Sequence, residues 1–242
     1  MKKLIFVLFI VAVFTSCKEE ITNPTALSSE ATVQTPEPLG KATAAWNSCA
    51  RYASWNNGGY TVWTNMWGAT CCQCVWANSG TNWGFSATFP NGGGVKSYPN
   101  ASKNVNKAID SYNGTSSWNF SHPGTSSIYW NASFDPWVPT EVMAWVFKTS
   151  GIGPRGSLQY SNQSIAGHTW NVYRENSSWN VISFVRTSNS TSGSFNMGTL
   201  LRWARSKGWL SNSTVKVNSF GFEVFGTNNQ SKNWTVNSMA AN

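Results

Sequence analysis

Acidic side chains are scarce in this chain of 242 residues, which carries nine Asp and Glu against 17 Lys and Arg. Glu19, Glu20, Glu30 and Glu37 lie in the N-terminal stretch, so the rest holds only Asp110, Asp135, Glu141, Glu175 and Glu223. The formal charge of +8 raises the question of nucleic acid, but the basic residues are scattered singly, with no basic helix, zinc module or RNP-like motif, and that class is excluded. Histidine is nearly absent: His122 and His168 are far from each other and from Cys71-Cys72-Gln73-Cys74. A tetrahedral zinc site needs four ligands, so neither a metal nor a cofactor is expected. Long apolar runs are also missing, apart from Leu4 to Phe14, which is too short to span a bilayer. No internal repeat is evident.

That one apolar run follows Lys2 and Lys3 and ends in Thr15, Ser16 and Cys17, the layout of an export signal. Cys17 directly after it resembles the lipobox cysteine of bacterial lipoproteins, which becomes the lipidated first residue. Lys18-Glu19-Glu20 then resembles the surface-export signal of some Gram-negative polysaccharide degraders. Residues 1–16 are therefore expected to be a signal peptide. Residues 17–41, rich in Thr, Pro, Ser and Glu, are expected to form a lipidated, disordered tether. The only expected membrane contact is through the lipid, at the outer membrane, on the cell surface or else on its periplasmic face. Residues 42–242 suffice for one domain. Its cysteines, Cys49, Cys71, Cys72 and Cys74, meet an oxidising compartment in which four thiols allow 3 pairings.

What the chain has in abundance is tryptophan, 15 residues, with 20 glycines and many Asn, Ser and Thr. Turn signals such as Asn57-Gly58-Gly59, Asn91-Gly92-Gly93-Gly94, Asn113-Gly114 and Gly151-Ile152-Gly153-Pro154 separate short runs of β-branched and aromatic residues. This pattern predicts an all-β jelly-roll sandwich of two antiparallel sheets. One helix is expected, capped at Asn196, running through Leu200, Leu201 and Trp203 and stopping at Gly208. Exposed indoles stack on the apolar faces of sugar rings, so the composition suits a carbohydrate-binding β protein.

Two of the five remaining carboxylates interrupt apolar strand-like runs: Glu141 in Thr-Glu-Val-Met-Ala-Trp-Val-Phe and Glu223 in Ser-Phe-Gly-Phe-Glu-Val-Phe-Gly. Charge in such a place costs desolvation unless it is paired or opens into a cleft, and paired cleft carboxylates cleave glycosidic bonds. By strand alternation Glu141, Met143 and Trp145 share one face while Val142, Ala144 and Val146 share the other. Ser219, Gly221, Glu223 and Phe225 likewise oppose Phe220, Phe222 and Val224. Both glutamates then face away from the core, across one concave surface. Asp135 has two readings: a neighbour that hydrogen-bonds Glu141, or ordinary turn chemistry of Asp before Pro136.

Here the chain resembles glycoside hydrolase family 12. Gly59-Tyr60-Thr61-Val62 with Asn65-Met66-Trp67-Gly68 resembles its opening strand and cleft-lining segment, and Val95-Lys96-Ser97-Tyr98-Pro99-Asn100 its next signature. Phe134-Asp135 with Trp137, Glu141-Val142-Met143-Ala144-Trp145, Ile152-Gly153-Pro154-Arg155-Gly156 and Gly221-Phe222-Glu223-Val224-Phe225 follow in order. The resemblance implies Glu141 as nucleophile, Glu223 as acid/base and Asp135 in support. Asn65, Trp67, Met143, Trp145, Pro154 and Phe225 are then expected to hold substrate. It also implies a Cys49–Cys74 disulfide, leaving Cys71 and Cys72 as a vicinal pair or free thiols. Phe222 and Val224 depart from the family's Thr and Pro, on the core-facing side. The expected activity is retaining, endo-acting hydrolysis of β-1,4 bonds in cellulose-like or mixed-linkage glucan by a monomer. Xyloglucan is the rival substrate, and a non-catalytic glucan-binding lipoprotein the rival class.

Overall fold

The computed structural model describes residues 43–177 and 179–242. The leader, Cys17 and the tether lie outside the described residues.

The strands in chain order are β1 (Trp46–Ser48), β2 (Ser54–Asn57), β3 (Tyr60–Trp63), β4 (Gln73–Ser79), β5 (Asn82–Ala87), β6 (Asn100–Ala108), β7 (Thr115–Ser121) and β8 (Tyr129–Trp137). There follow β9 (Glu141–Lys148), β10 (Ser157–Ile165), β11 (His168–Glu175), β12 (Val181–Arg186), β13 (Ser192–Asn196), β14 (Thr214–Gly226) and β15 (Lys232–Ala241). They form two sheets, β1-β4-β5-β15-β7-β13 and β10-β11-β12-β9-β8-β14-β6-β3-β2, the expected jelly-roll sandwich. Pairing is antiparallel except between β12 and β9, which run parallel with Val181 beside Glu141. A parallel neighbour needs a crossover, and β10 and β11 supply it before the chain returns as β12.

Alternation decides what lies between the sheets. Val142, Ala144 and Val146 of β9 and Phe220, Phe222 and Val224 of β14 are wholly buried in one core with Trp83, Phe85, Phe120, Trp130 and Trp234. Phe222 meets the rings of Trp83 and Phe120 edge-on at 6.0 and 5.3 Å. Burying one such ring contributes about 1.5–3 kcal/mol. The core therefore fixes which way the next residue, Glu223, must point.

Helix α1 (Met197–Ser206) begins where expected: the Asn196 side chain accepts a hydrogen bond from the Thr199 N–H at 3.0 Å. The chain leaves it through Gly208 at φ +72°, a left-handed conformation that glycine adopts without steric cost. Arg202 donates to the Ile109 and Tyr112 carbonyls, and Arg205 pairs with Asp110, so the helix's basic residues are structural.

Cys49 and Cys74 are joined, tying the segment after β1 to β4. Cys71 and Cys72 are bonded to each other as a vicinal pair.

Candidate active site

The outward face of the nine-stranded sheet carries a cleft of about 950 Å³. All nine residues singled out for catalysis or substrate line it: Asn65, Trp67, Asp135, Glu141, Met143, Trp145, Pro154, Glu223 and Phe225. β9 contributes Glu141, Met143 and Trp145, and β14 contributes Ser219, Glu223 and Phe225, as period-two alternation requires. Met143 and Trp145 pack with Val185 into a small apolar floor on this side of the sheet.

β8 lies between these two strands and presents Asn131, Ser133, Asp135 and Trp137 on alternate positions. Asp135 stands inside the strand, and the turn comes later, at residues 138–140, so turn chemistry is not its role. Pro136 has no N–H to donate, and it sits where the β8–β9 register passes from Phe134 beside Ala144 to Trp137 beside Glu141. The expected hydrogen bond between Asp135 and Glu141 is not formed. Their coupling is electrostatic, and Asp135 Oδ1 is buried without a partner.

The three carboxyls differ in their surroundings. Burial raises Asp135 well above the usual carboxylate range, and the nearby charges of Glu141 and Glu223 raise it further. Burial also raises Glu223, to about 7, with a smaller push from Glu141 against a lowering hydrogen bond from Asn131. That bond, Asn131 Nδ2 donating to Glu223 Oε2, is 2.5 Å long. Glu141 is raised by burial and drawn back down by the Arg155 guanidinium. Gly221, two residues before Glu223, permits the close packing here: a Cβ on it would meet Asn100 Cβ and the Pro99 carbonyl at 2.6 Å.

Around the carboxyls the cleft is aromatic. Trp63, Trp67, Trp137 and Trp179 are exposed by 37%, 45%, 54% and 61%, and all four line the cleft, whereas Trp83, Trp130, Trp170 and Trp234 are wholly buried. Trp67 therefore belongs to the cleft and not to the core. The Trp145 indole N–H is buried without a protein partner. Among the described residues no cluster of three or more His, Cys, Asp or Glu is arranged to hold a metal ion.

Sequence reasoning missed Asn131, Trp63, Trp137, Trp179 and Arg155. Asn131 was within reach of alternation, four residues before Asp135 on the same face. Trp137 was equally within reach of alternation, two residues after Asp135, whereas Trp179 stands in a turn, where no periodicity assigns a direction.

Comparison with known proteins gives this cleft its family. Residues 58–242 match the model of glycosyl hydrolase family 12. The xyloglucan-specific endo-beta-1,4-glucanase A of Emericella nidulans is 27% identical over 189 residues, 68% of this chain and 78% of that protein. Endoglucanase S of Pectobacterium parmentieri is 26% identical over 210 residues, 72% of this chain and 79% of that protein. Among solved structures, the xyloglucanase domain of NopAA, a type three effector from Sinorhizobium fredii, in complex with cellobiose, superposes with a TM-score of 0.76 at 27% identity. The match covers 82% of this chain and 98% of that one. With a jelly roll, a cleft of paired carboxyls and a match over most of its length, the chain belongs to glycosyl hydrolase family 12 and is a glycoside hydrolase.

Proposed function

We propose that the protein hydrolyses internal β-1,4 bonds of a glucan by a retaining double displacement, with Glu141 as nucleophile and Glu223 as acid/base. The observation that carries this reading is that Glu141 and Glu223 line one aromatic cleft in different surroundings, Arg155 beside the first and Asn131 bonded to the second. Burial raises both carboxyls, Glu223 to about 7, where it holds a proton to give, while the Arg155 guanidinium draws Glu141 back toward its ionised form. Glu141 attacks the anomeric carbon as Glu223 protonates the departing oxygen. Glu223, now ionised, then takes a proton from water, which releases the sugar from Glu141. Burial favours the neutral form of Asp135, which lessens the negative charge beside Glu141 and in that way supports it. Asn131 orients the Glu223 carboxyl.

The glucan reading rests on the exposed indoles and on relatives named for both endoglucanase and xyloglucan-specific activity. Reducing ends released from carboxymethylcellulose, barley glucan and xyloglucan, measured in parallel with viscosity, test it. Release with an early fall in viscosity is expected from the cellulose-like or mixed-linkage chains. Release from xyloglucan alone would reassign the substrate, and binding without release from any of the three would leave a glucan-binding protein.

We further propose export as a lipoprotein anchored through Cys17 at the outer membrane, supported by the leader ending in Thr15-Ser16-Cys17 and by Lys18-Glu19-Glu20. Cys17→Ala is expected to move the protein from the membrane fraction to the soluble one with unchanged activity. An unchanged membrane fraction would contradict the anchor.

A further inference from the structure

Of the four exposed cleft tryptophans, Trp137 stands on β8 two residues beyond Asp135, and the other three fall in two groups on either side of the carboxyl-bearing strands. Trp63 ends β3, and Trp67 follows in the next loop. Trp179 stands in the turn that leads into β12. Between β3 and β12 the sheet order runs β6, β14, β8, β9, so Glu223, Asp135 and Glu141 all lie on strands between the two groups of indoles. A chain laid across the strands meets Trp63 and Trp67 on one side of the carboxyls and Trp179 on the other.

Trp179 is the most exposed large apolar side chain among the described residues, yet its turn is braced on several sides. The Arg155 guanidinium stacks over its ring at 4.8 Å. Arg155 Nε faces Glu175 Oε2 at 4.0 Å, and Glu175 Oε1 accepts hydrogen bonds from the Ser177 N–H, at 3.2 Å, and from its hydroxyl. Next in the chain, Asn180 Nδ2 donates to Thr140 Oγ1 at 3.0 Å, tying this turn to the one beside Glu141. Both Arg155 and Trp179 line the cleft. One ring face is occupied by a cation, which leaves the other for a partner with an apolar face and polar edges. A pyranose ring has that chemistry. Glu175, otherwise an unexplained member of a very small set of carboxylates, thereby acquires a structural purpose.

Resting on the glucan reading above, we propose that Trp179, held by Arg155, is a second sugar-stacking platform, on the opposite side of the carboxyls from Trp63 and Trp67. It fixes where along the glucan scission falls.

The test is the cleavage pattern of cellohexaose labelled at its reducing end, with Trp179→Ala, Trp179→Phe and Trp67→Ala compared to the parent. Trp179→Ala is expected to raise KM about tenfold, the size of one lost aromatic contact. It should also move the favoured bond by at least one glucose toward one terminus, with the thermal midpoint unchanged. Trp67→Ala is expected to move the bond toward the other terminus, and Trp179→Phe to keep most of the parental pattern. An unaltered pattern and KM in Trp179→Ala, or a shift in the same direction as Trp67→Ala, overturns the platform.

If the parent cleaves no glucan, the hydrolase reading falls, and the platform is then judged by calorimetric binding of unlabelled cellohexaose to Glu141→Gln. About tenfold weaker binding when Trp179→Ala is added supports the platform. Equal affinity, or no binding at all, overturns it.

Discussion

Glu141→Gln and Glu223→Gln are each expected to fold as the parent does and to lose about 10²–10⁴-fold or more in kcat on an unactivated glucan. Neither side chain holds the core: both line the cleft, while their neighbours Val142, Phe222 and Val224 are wholly buried. Gln keeps the shape but removes the charge from Glu141 and the transferable proton from Glu223. The two variants should separate on an aryl cellobioside with a good leaving group. Its departure needs no proton, so Glu223→Gln should still form the covalent intermediate and release a burst of phenolate, whereas Glu141→Gln should not. Near-parental turnover by either variant on glucan would remove that residue from the mechanism.

The second large effect is on pH. Glu223 must be protonated in the free enzyme to act first as acid, and burial pushes its carboxyl up to about 7. The value of kcat/KM is therefore expected to fall as pH rises through 7, approaching tenfold per unit above it. Stability follows the same proton. A carboxyl raised from 4.5 to about 7 in the folded protein binds more protons than its unfolded counterpart between those values. Its contribution to stability is fully present below pH 4.5 and is lost as pH rises through about 7. Glu223→Gln has no such proton to lose, so its thermal midpoint relative to the parent should rise from pH 5 to pH 8. Asn131→Ala removes a hydrogen bond that lowers the Glu223 pKa, and the alkaline limb should move up. Scans of kcat/KM and of thermal midpoint against pH check both statements. An alkaline limb unmoved in Asn131→Ala would contradict the assigned acid.

Much of this site was legible in the sequence because a strand has only two faces. Once Val142, Ala144 and Val146 are assigned to the core, Glu141, Met143 and Trp145 have no other place to go, and the same holds for Glu223 beside Phe222. The helix was legible for a different reason: its cap, Asn196, and its stop, Gly208, are local chemistry. What stayed hidden depends on pairs distant in sequence. Nothing in the run around Asn131 says that Glu223, 92 residues on, will lie opposite it. Turn residues were equally opaque, since the turn at Trp179 is held by the Arg155 guanidinium over its ring and by the bond from Asn180 to Thr140, both to residues distant in sequence. The parallel pairing of β9 with β12 likewise arises from the order in which strands return to the sheet.

The account's central claim is that Glu141 forms a covalent bond to the sugar, and the anomer first released tests it most directly. Proton NMR of cellopentaose or a longer cello-oligosaccharide, followed from the first minutes of hydrolysis, is expected to show the new reducing end appearing as the β-anomer, with the α-anomer growing in later by mutarotation. Two inversions at one carbon give that result. Initial appearance of the α-anomer would mean a single inversion by water and would contradict Glu141 as the nucleophile.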